Sequence, residues 1–425
     1  MMKKKAISIL LILALVLTLC LGSIGSASAA SYSGAKTIME KIGSSLYAKV
    51  KTPAFGSIGG EWLMYGFAEA GFKLPDTYVK SYQQTVEQAL EDGYRGQKGI
   101  LHDRKYTEYS RVIIAYSALG LDPTNIRGYN MVEKLADFEK VIWQGINGPI
   151  WALRALDSGD YSVPKVSGIE NVTTRQKLVD YILENQLSDG GWDLGGKTAD
   201  PDLTAMALES LAPYYQQTKV KKAMDSAISC LSKMQQADGG YASVGTANLE
   251  SCAQVVSALS NVGINANTDS RFKKNGKSVL DAMLTYYDEK EGGFRHVNSA
   301  GGGYEPVVNQ MATEQGYYAL AQYFENVPGQ ITDVKVSSPK AKNLKVSWTS
   351  QKTADGYQIV IASNSSFTKS VKKTTVSAGT AKTRTKTISG LTKGKTYYVK
   401  VRAYKTVNGR KVYGLYSSVK KVTVK

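Results

Sequence analysis

Gln186-Leu187-Ser188-Asp189-Gly190-Gly191-Trp192 decides the fold of this 425-residue chain because it returns. Gln235-Gln236-Ala237-Asp238-Gly239-Gly240-Tyr241 is its second copy, and Asp288-Glu289-Lys290-Glu291-Gly292-Gly293-Phe294 is a degenerate third. The acidic positions lie 49 and then 53 residues apart. A period near 50 residues marks a repeat architecture in which each unit buries its apolar face only against its neighbours. Each copy follows one amphipathic stretch and precedes another. The paired glycines supply the positive φ that a sharp turn after a helix needs. The aromatic that follows can plug the gap between adjacent hairpins.

Working outward from the copies, six helix pairs cover residues 31–326. The first member of each pair mixes charged and apolar residues: 37–50, 77–92, 130–144, 173–186, 219–235 and 277–290. The second member is small, apolar and poor in charge: 60–70, 106–119, 148–157, 202–214, 249–262 and 310–324. A striped helix faces solvent on one side, whereas a nearly uncharged one is buried on most sides. Six alternating outer and inner helices therefore predict an all-α (α/α)6 toroid.

The stretch Gln186–Tyr214, with its QxxDGGW repeat, resembles the squalene cyclase and protein prenyltransferase β-subunit superfamily. The resemblance implies a terpenoid cyclase-like toroid with a pocket at one end of the inner helices. That fold also serves binding proteins such as cobalamin carriers, so it leaves function open. Class II cyclases protonate their substrate with the middle Asp of a D-x-D-D-T-A motif. Asp200-Pro201-Asp202-Leu203-Thr204-Ala205 matches at the first and middle Asp and at Thr-Ala but carries Leu203 in place of the third Asp. By this resemblance Asp202 is the candidate acid, with Asp200 and Thr204 beside it. The missing carboxylate weakens the like-charge effect that would keep such an acid protonated. The prenyltransferase zinc set finds only a loose echo in Glu250-Ser251-Cys252, with no His on the last inner helix. No metal and no cofactor is expected, and His296 falls in a loop.

Five inner segments begin with an acid: Glu61, Glu108, Asp202, Glu250 and Glu314. Parallel inner helices would gather these around one mouth. Two readings stay open. Each acid can offset its own helix dipole, or the set can form a polar pocket floor walled by Trp62, Tyr106, Tyr109, Trp151 and Tyr304. His102, Arg111 and Asn147 join the second reading, because their neighbourhoods are denser in polar and aromatic residues than a core needs. Such a lining suits a glycan, a peptide or a small molecule, including a corrinoid, better than bare polyprenyl. Two of its carboxylates could instead cleave a glycan. A ligand-binding or surface role is the expected one.

From Gln330 onward the helical pattern gives way to period-two alternation, as in Leu344-Lys345-Val346-Ser347-Trp348 and Tyr397-Tyr398-Val399-Lys400-Val401. Residues 330–425 resemble a fibronectin type III domain. The resemblance rests on Trp348, on Asp355-Gly356-Tyr357, and on Leu391-Thr392-Lys393-Gly394-Lys395-Thr396-Tyr397. It implies a seven-stranded sandwich acting as spacer or adhesive module.

The charge divides along the same line. The chain's net +17 comprises +19 in residues 330–425, +3 in a leader and −5 in the toroid. The basic balance therefore does not call for nucleic acid. It fits weak attraction of the sandwich to an anionic cell-wall polymer. Residues 1–29 read as a signal peptide, with Lys3-Lys4-Lys5, an apolar run from Ala6 to Leu21 and an Ala27-Ser28-Ala29 cleavage site. A secreted or surface-associated product without a transmembrane segment is expected. Cys230 and Cys252 remain after that cleavage, and their pairing is open.

Overall fold

The computed structural model describes residues 31–425; the leader reading lies outside the described residues. Helices fill the chain from Tyr32 to Asn326 as outer–inner pairs. They are α1 (Tyr32–Lys49) with α2 (Trp62–Glu69), and α3 (Asp76–Asp92) with α4 (Thr107–Ala118). Next come α5 (Met131–Lys134) and α6 (Phe138–Val141) with α7 (Asn147–Asp157). The last three pairs are α8 (Arg175–Glu184) with α9 (Pro201–Leu211), α10 (Thr218–Met234) with α11 (Leu249–Asn261), and α12 (Val279–Leu284) with α13 (Gln310–Asn326). Each inner helix packs on the next in the order α2, α4, α7, α9, α11, α13, and α13 packs back on α2. That closed ring is the (α/α)6 toroid. No described helix is long and apolar enough to cross a membrane.

Two outer members depart from the expected helices. The stretch 130–144 is broken into α5 and α6. Asn130 and Asp137 each cap a short helix, and the loop before α8 takes the backbone groups between them. Thr173 N–H donates to Ala136 O, and Phe138 N–H donates to Asn171 O. The stretch 277–290 is helical only over Val279–Leu284. Ser278 and Asp281 form a capping box at its start, and Tyr287–Asp288 then leave to pair with Gly293–Phe294.

The repeat works as a backbone clamp. Gln186 Nε2 closes its own turn on Gly190 O (2.7 Å) and reaches the next outer helix at Ala223 O (2.8 Å). Gln235 Nε2 likewise closes its turn on Gly239 O (2.8 Å) and reaches Phe272 O (3.0 Å), in the turn that precedes the next outer helix. Trp192 Nε1 donates to Ile182 O, and Tyr241 Oη to Leu231 O, each ten residues upstream. Gly190 and Gly239 hold φ of 94° and 90°, where a side chain is strained. Asp189 and Asp238 accept from the N–H two residues on. The plugs Trp192, Tyr241 and Phe294 are fully buried.

The C-terminal sandwich stacks two antiparallel sheets. One is β5 (Thr383–Ile388), β2 (Leu344–Thr349) and β1 (Lys335–Ser337). The other orders β4 (Lys372–Ser377), β3 (Gly356–Ala362) and β6 (Thr396–Val407), with β7 (Arg410–Tyr413) and β8 (Lys420–Thr423) both on β6. β7 and β8 are one edge interrupted at residues 414–419, so the sandwich keeps seven strand positions. Its core centres on Trp348, Tyr357, Ile359, Val399 and Val401. The hairpin between β6 and β7 bends onto the toroid. There Asn408 Nδ2 donates to Asn261 O (2.8 Å), Arg410 pairs with Asp225 (3.0 Å), and Lys405 pairs with Glu325.

Candidate functional site

The inner helices run parallel, so the toroid has two chemically different ends. At the N-terminal end the five acids fall into two groups, Glu61 with Glu108 and Glu314, and Asp202 with Glu250, and are largely buried. Glu61, with no exposed surface, accepts from Gly56 N–H (3.0 Å), Tyr82 Oη (3.3 Å) and Arg111 Nε (3.3 Å). Arg111 also pairs with Glu108. Glu314 accepts from Gly59 N–H (2.9 Å) and Gln310 Nε2 (2.8 Å). It sits one turn inside α13, so it stitches the turn before α2 rather than offsetting its own helix terminus. Burial pushes Glu61 and Glu314 up to about 7.

Asp202 is also pushed up to about 7, by burial first and then by Asp200. Its Oδ1 is buried without a hydrogen bond. Asp200 is the N-cap of α9, accepting from the N–H groups of Asp202 and Leu203 and from Ser243 Oγ. Thr204 Oγ1 bridges the N–H and C=O of Trp192. Thr313 makes the same pair of bonds to Phe294, so Thr204 serves the repeat. Glu250 binds His296 Nδ1 at 2.7 Å, and the histidine is therefore a buried acid's partner rather than a free loop residue. Among the described residues no group of three or more His, Cys, Asp or Glu is placed to hold a metal ion. Both thiols are free and buried.

The expected aromatic wall is split. Trp62 and Trp151 face inward, with ring centroids 4.9 Å apart, and Tyr318 stacks 5.9 Å from Trp62. α2 and α7 are not neighbours in the ring, so these side chains meet inside it. His102, Tyr106 and Tyr109 instead line a separate cleft of about 290 Å³ on the flank, with Asp103, Asp137 and Lys140. His102 Nδ1 is occupied by the N–H groups of Arg104 and Lys105. Asn147 opens α7, and Tyr304 is exposed.

A polar cleft lies at the opposite, C-terminal end. It measures about 290 Å³, and Tyr65, Glu69, Arg154, Glu209, Asn261 and Gln322 line it, with Asn408 of the sandwich on its rim. Glu209 organises it by accepting from Arg154 Nη2 (2.7 Å), Ser257 Oγ (3.1 Å), Asn261 Nδ2 (3.1 Å) and Gln322 Nε2 (3.1 Å). Arg154 also lies over the Trp151 ring at 4.6 Å. Burial pushes Glu69 up to about 7 against the pull of Arg154. None of these polar residues was singled out in the sequence. The available signal was the presence of Arg154, Glu209 and Gln322 on helices otherwise poor in charge.

Residues 329–413 match the family model of the fibronectin type III domain. The C-terminal unit is a fibronectin type III domain. No curated protein sequence matches the chain significantly. Among solved structures, the FN5 domain of Drosophila Lar is 22% identical, covering 23% of this chain and 96% of that one, with a TM-score of 0.19. The chicken CNTN1 FN1-FN3 segment is 23% identical over 23% of this chain and 30% of that one, at 0.19. A variant of the type II terpene cyclase MstE from Scytonema, in its apo form, is 11% identical. It covers 68% of this chain and 98% of that chain, at 0.43.

Proposed function

We propose that this is an exported binding protein. Its toroid takes a polar ligand at the C-terminal mouth of the inner-helix ring, and its type III domain holds it at the cell surface. The carrying observation is the cleft floored by Glu209, Arg154, Asn261 and Gln322 and rimmed by Asn408. Donors and acceptors from four inner helices and from the second domain converge on one concavity, the pattern of a site that orients a polar molecule. Trp62, Trp151 and Tyr318 meet inside the ring, where a long apolar chain would have to lie. That favours a glycan, a peptide or a polar small molecule over a polyprenoid.

Native mass spectrometry of the purified chain, followed by titration of glycan, peptide and corrinoid panels against intrinsic tryptophan fluorescence, tests the reading. Asn408→Trp fills the rim from an exposed hairpin tip and should abolish binding. Unchanged affinity in that variant would place the ligand elsewhere. One observation favours a second reading as a glycan-cleaving enzyme. Glu69 and Glu209 share the cleft with Asp157, which Arg175 and Tyr214 already hold, and Glu69 is poised to hold a proton near neutrality. Release of reducing ends from a glycan, lost in Glu69→Gln, would select it.

A further inference from the structure

We propose that the outer face of the β4-β3-β6-β7 sheet is a binding track for a linear phosphodiester polymer without bases, running into the cleft between the two domains. The proposal deepens the surface-attachment half of the reading above and is independent of the toroid cleft.

The face is built from rows of cross-strand neighbours. Lys373, Val360 and Lys400 form one row, and Thr375, Gln358 and Arg402 the next. Lys400 and Arg402 lie two residues apart on β6, hence roughly 7 Å apart on the same face. Both bracket one ring, with Lys400 Nζ 4.2 Å and Arg402 Cζ 4.4 Å from the Tyr416 centroid. Lys400 also lies over Phe367 (4.2 Å), Arg402 over Tyr413 (3.8 Å) and Lys411 over Tyr404 (4.4 Å). Among the described residues no carboxylate pairs with Lys373, Lys400, Arg402 or Lys411. This is unlike Lys405 and Arg410, which have Glu325 and Asp225.

The cations therefore repel one another across a shared ring without a counter-charge. Burial and the neighbouring charges of Arg402 and Lys373 hold the Lys400 ammonium below its usual range. A bound anion would relieve both effects. Arg402 spends only Nε within the fold, on Gln358 Oε1 (3.0 Å), which leaves the rest of its fork for a phosphate.

The track does not end at the domain edge. A cleft of about 370 Å³ continues it, lined by Arg402, Arg410, Lys411 and Tyr413 of the sandwich and by Arg271 of the toroid. Its one carboxylate, Asp269, is already held by Arg271 at 2.9 and 2.8 Å. Cations spaced at strand-residue pairs suit charges repeated along an extended polyol phosphate. A nucleic acid fits less well, because base stacking needs open ring faces, and these faces carry the chain's own cations.

The test is binding of the full chain to purified poly(glycerol phosphate) across a salt series, beside heparin and a poly(dT) oligonucleotide. The polyol phosphate should bind with affinity falling steeply in salt. Lys400→Glu with Arg402→Glu should weaken it at least tenfold and flatten the salt slope. Lys335→Glu with Lys345→Glu removes equal charge from the other sheet and should change it less than threefold. Circular dichroism checks that both variants fold. Equal losses in the two pairs would overturn the site in favour of diffuse charge. Tighter binding to poly(dT) or heparin than to the polyol phosphate, or no binding to the polyol phosphate, would overturn the ligand class. Ligand retention by the toroid cleft reports on the other half separately.

Discussion

Arg154→Met isolates what the C-terminal network is worth. The side chains of Arg154 and Glu209 are 10% and 5% exposed, and they meet at 2.7 Å. Removing one partner of a buried pair costs about 3–5 kcal/mol, because the other charge is left behind. Here the carboxylate keeps neutral donors from Ser257, Asn261 and Gln322. The loss should therefore sit at the low end, about 3 kcal/mol at pH 7.5. Without Arg154 a buried carboxylate is left without its charge partner, a cost that neutralising the carboxyl at lower pH lessens. Glu209→Gln strands the guanidinium instead, which cannot shed its proton, so its cost should not fade at pH 5.0. Urea unfolding followed by tryptophan fluorescence at pH 7.5 and 5.0 reads this directly. A shift of Arg154→Met that is absent at pH 7.5, or equal at the two pH values, would refute the reasoning.

The N-terminal acids give a related result. Glu61, Glu314 and Asp202 are each raised to about 7 in the fold. The folded chain binds more protons than the unfolded one between about pH 4 and 7, so stability should fall as pH rises through that window. Glu314→Gln should lessen the fall in a pH series of unfolding midpoints. Gly191→Ala would set a methyl 2.4 Å from Ala199 Cβ and 2.5 Å from Thr204 Oγ1; a loss of about 1–3 kcal/mol is expected in equilibrium unfolding. Cys230 and Cys252 should resist a thiol reagent until the chain unfolds, since both are buried and the Cys252 thiol is pushed up to about 12. Arg410→Ala breaks the bond to Asp225 and the stacking on Tyr215; a larger radius of gyration in small-angle scattering is expected as the domains loosen.

The ring of helices was legible because burial writes itself into composition. Inner helices such as α9 and α11 lack charge on nearly every face, and the glycine turns recur at a fixed interval. The outer helices failed where local capping and a distant loop competed. Asn130 and Asp137 signal two starts, but only the approach of residues 171–173 explains why the backbone between them leaves the helix. The candidate site was less legible for a different reason. Acids at helix starts look alike in sequence, whether they close a turn, as Glu314 does, or cap a helix, as Asp200 does. Glu209 and Arg154 became a site only when helices from α2 to α13 converged on them.

The two ends of the toroid also separate two kinds of chemistry. At the N-terminal end, buried acids consume one another's neighbours: Glu61 takes Arg111, Glu250 takes His296, and Glu314 takes Gly59 and Gln310. Their protons are held by desolvation, and their bonds close the fold. At the C-terminal end the polar groups are equally interlinked but border open space, and the second domain's hairpin completes their rim. On the reading proposed above, a ligand arriving there would touch both domains at once. Its binding would also stiffen the hairpin that carries Arg410 and Lys411, and so fix the geometry of the cationic cleft beside it. On that reading, the two attachments would reinforce each other through the shared hairpin.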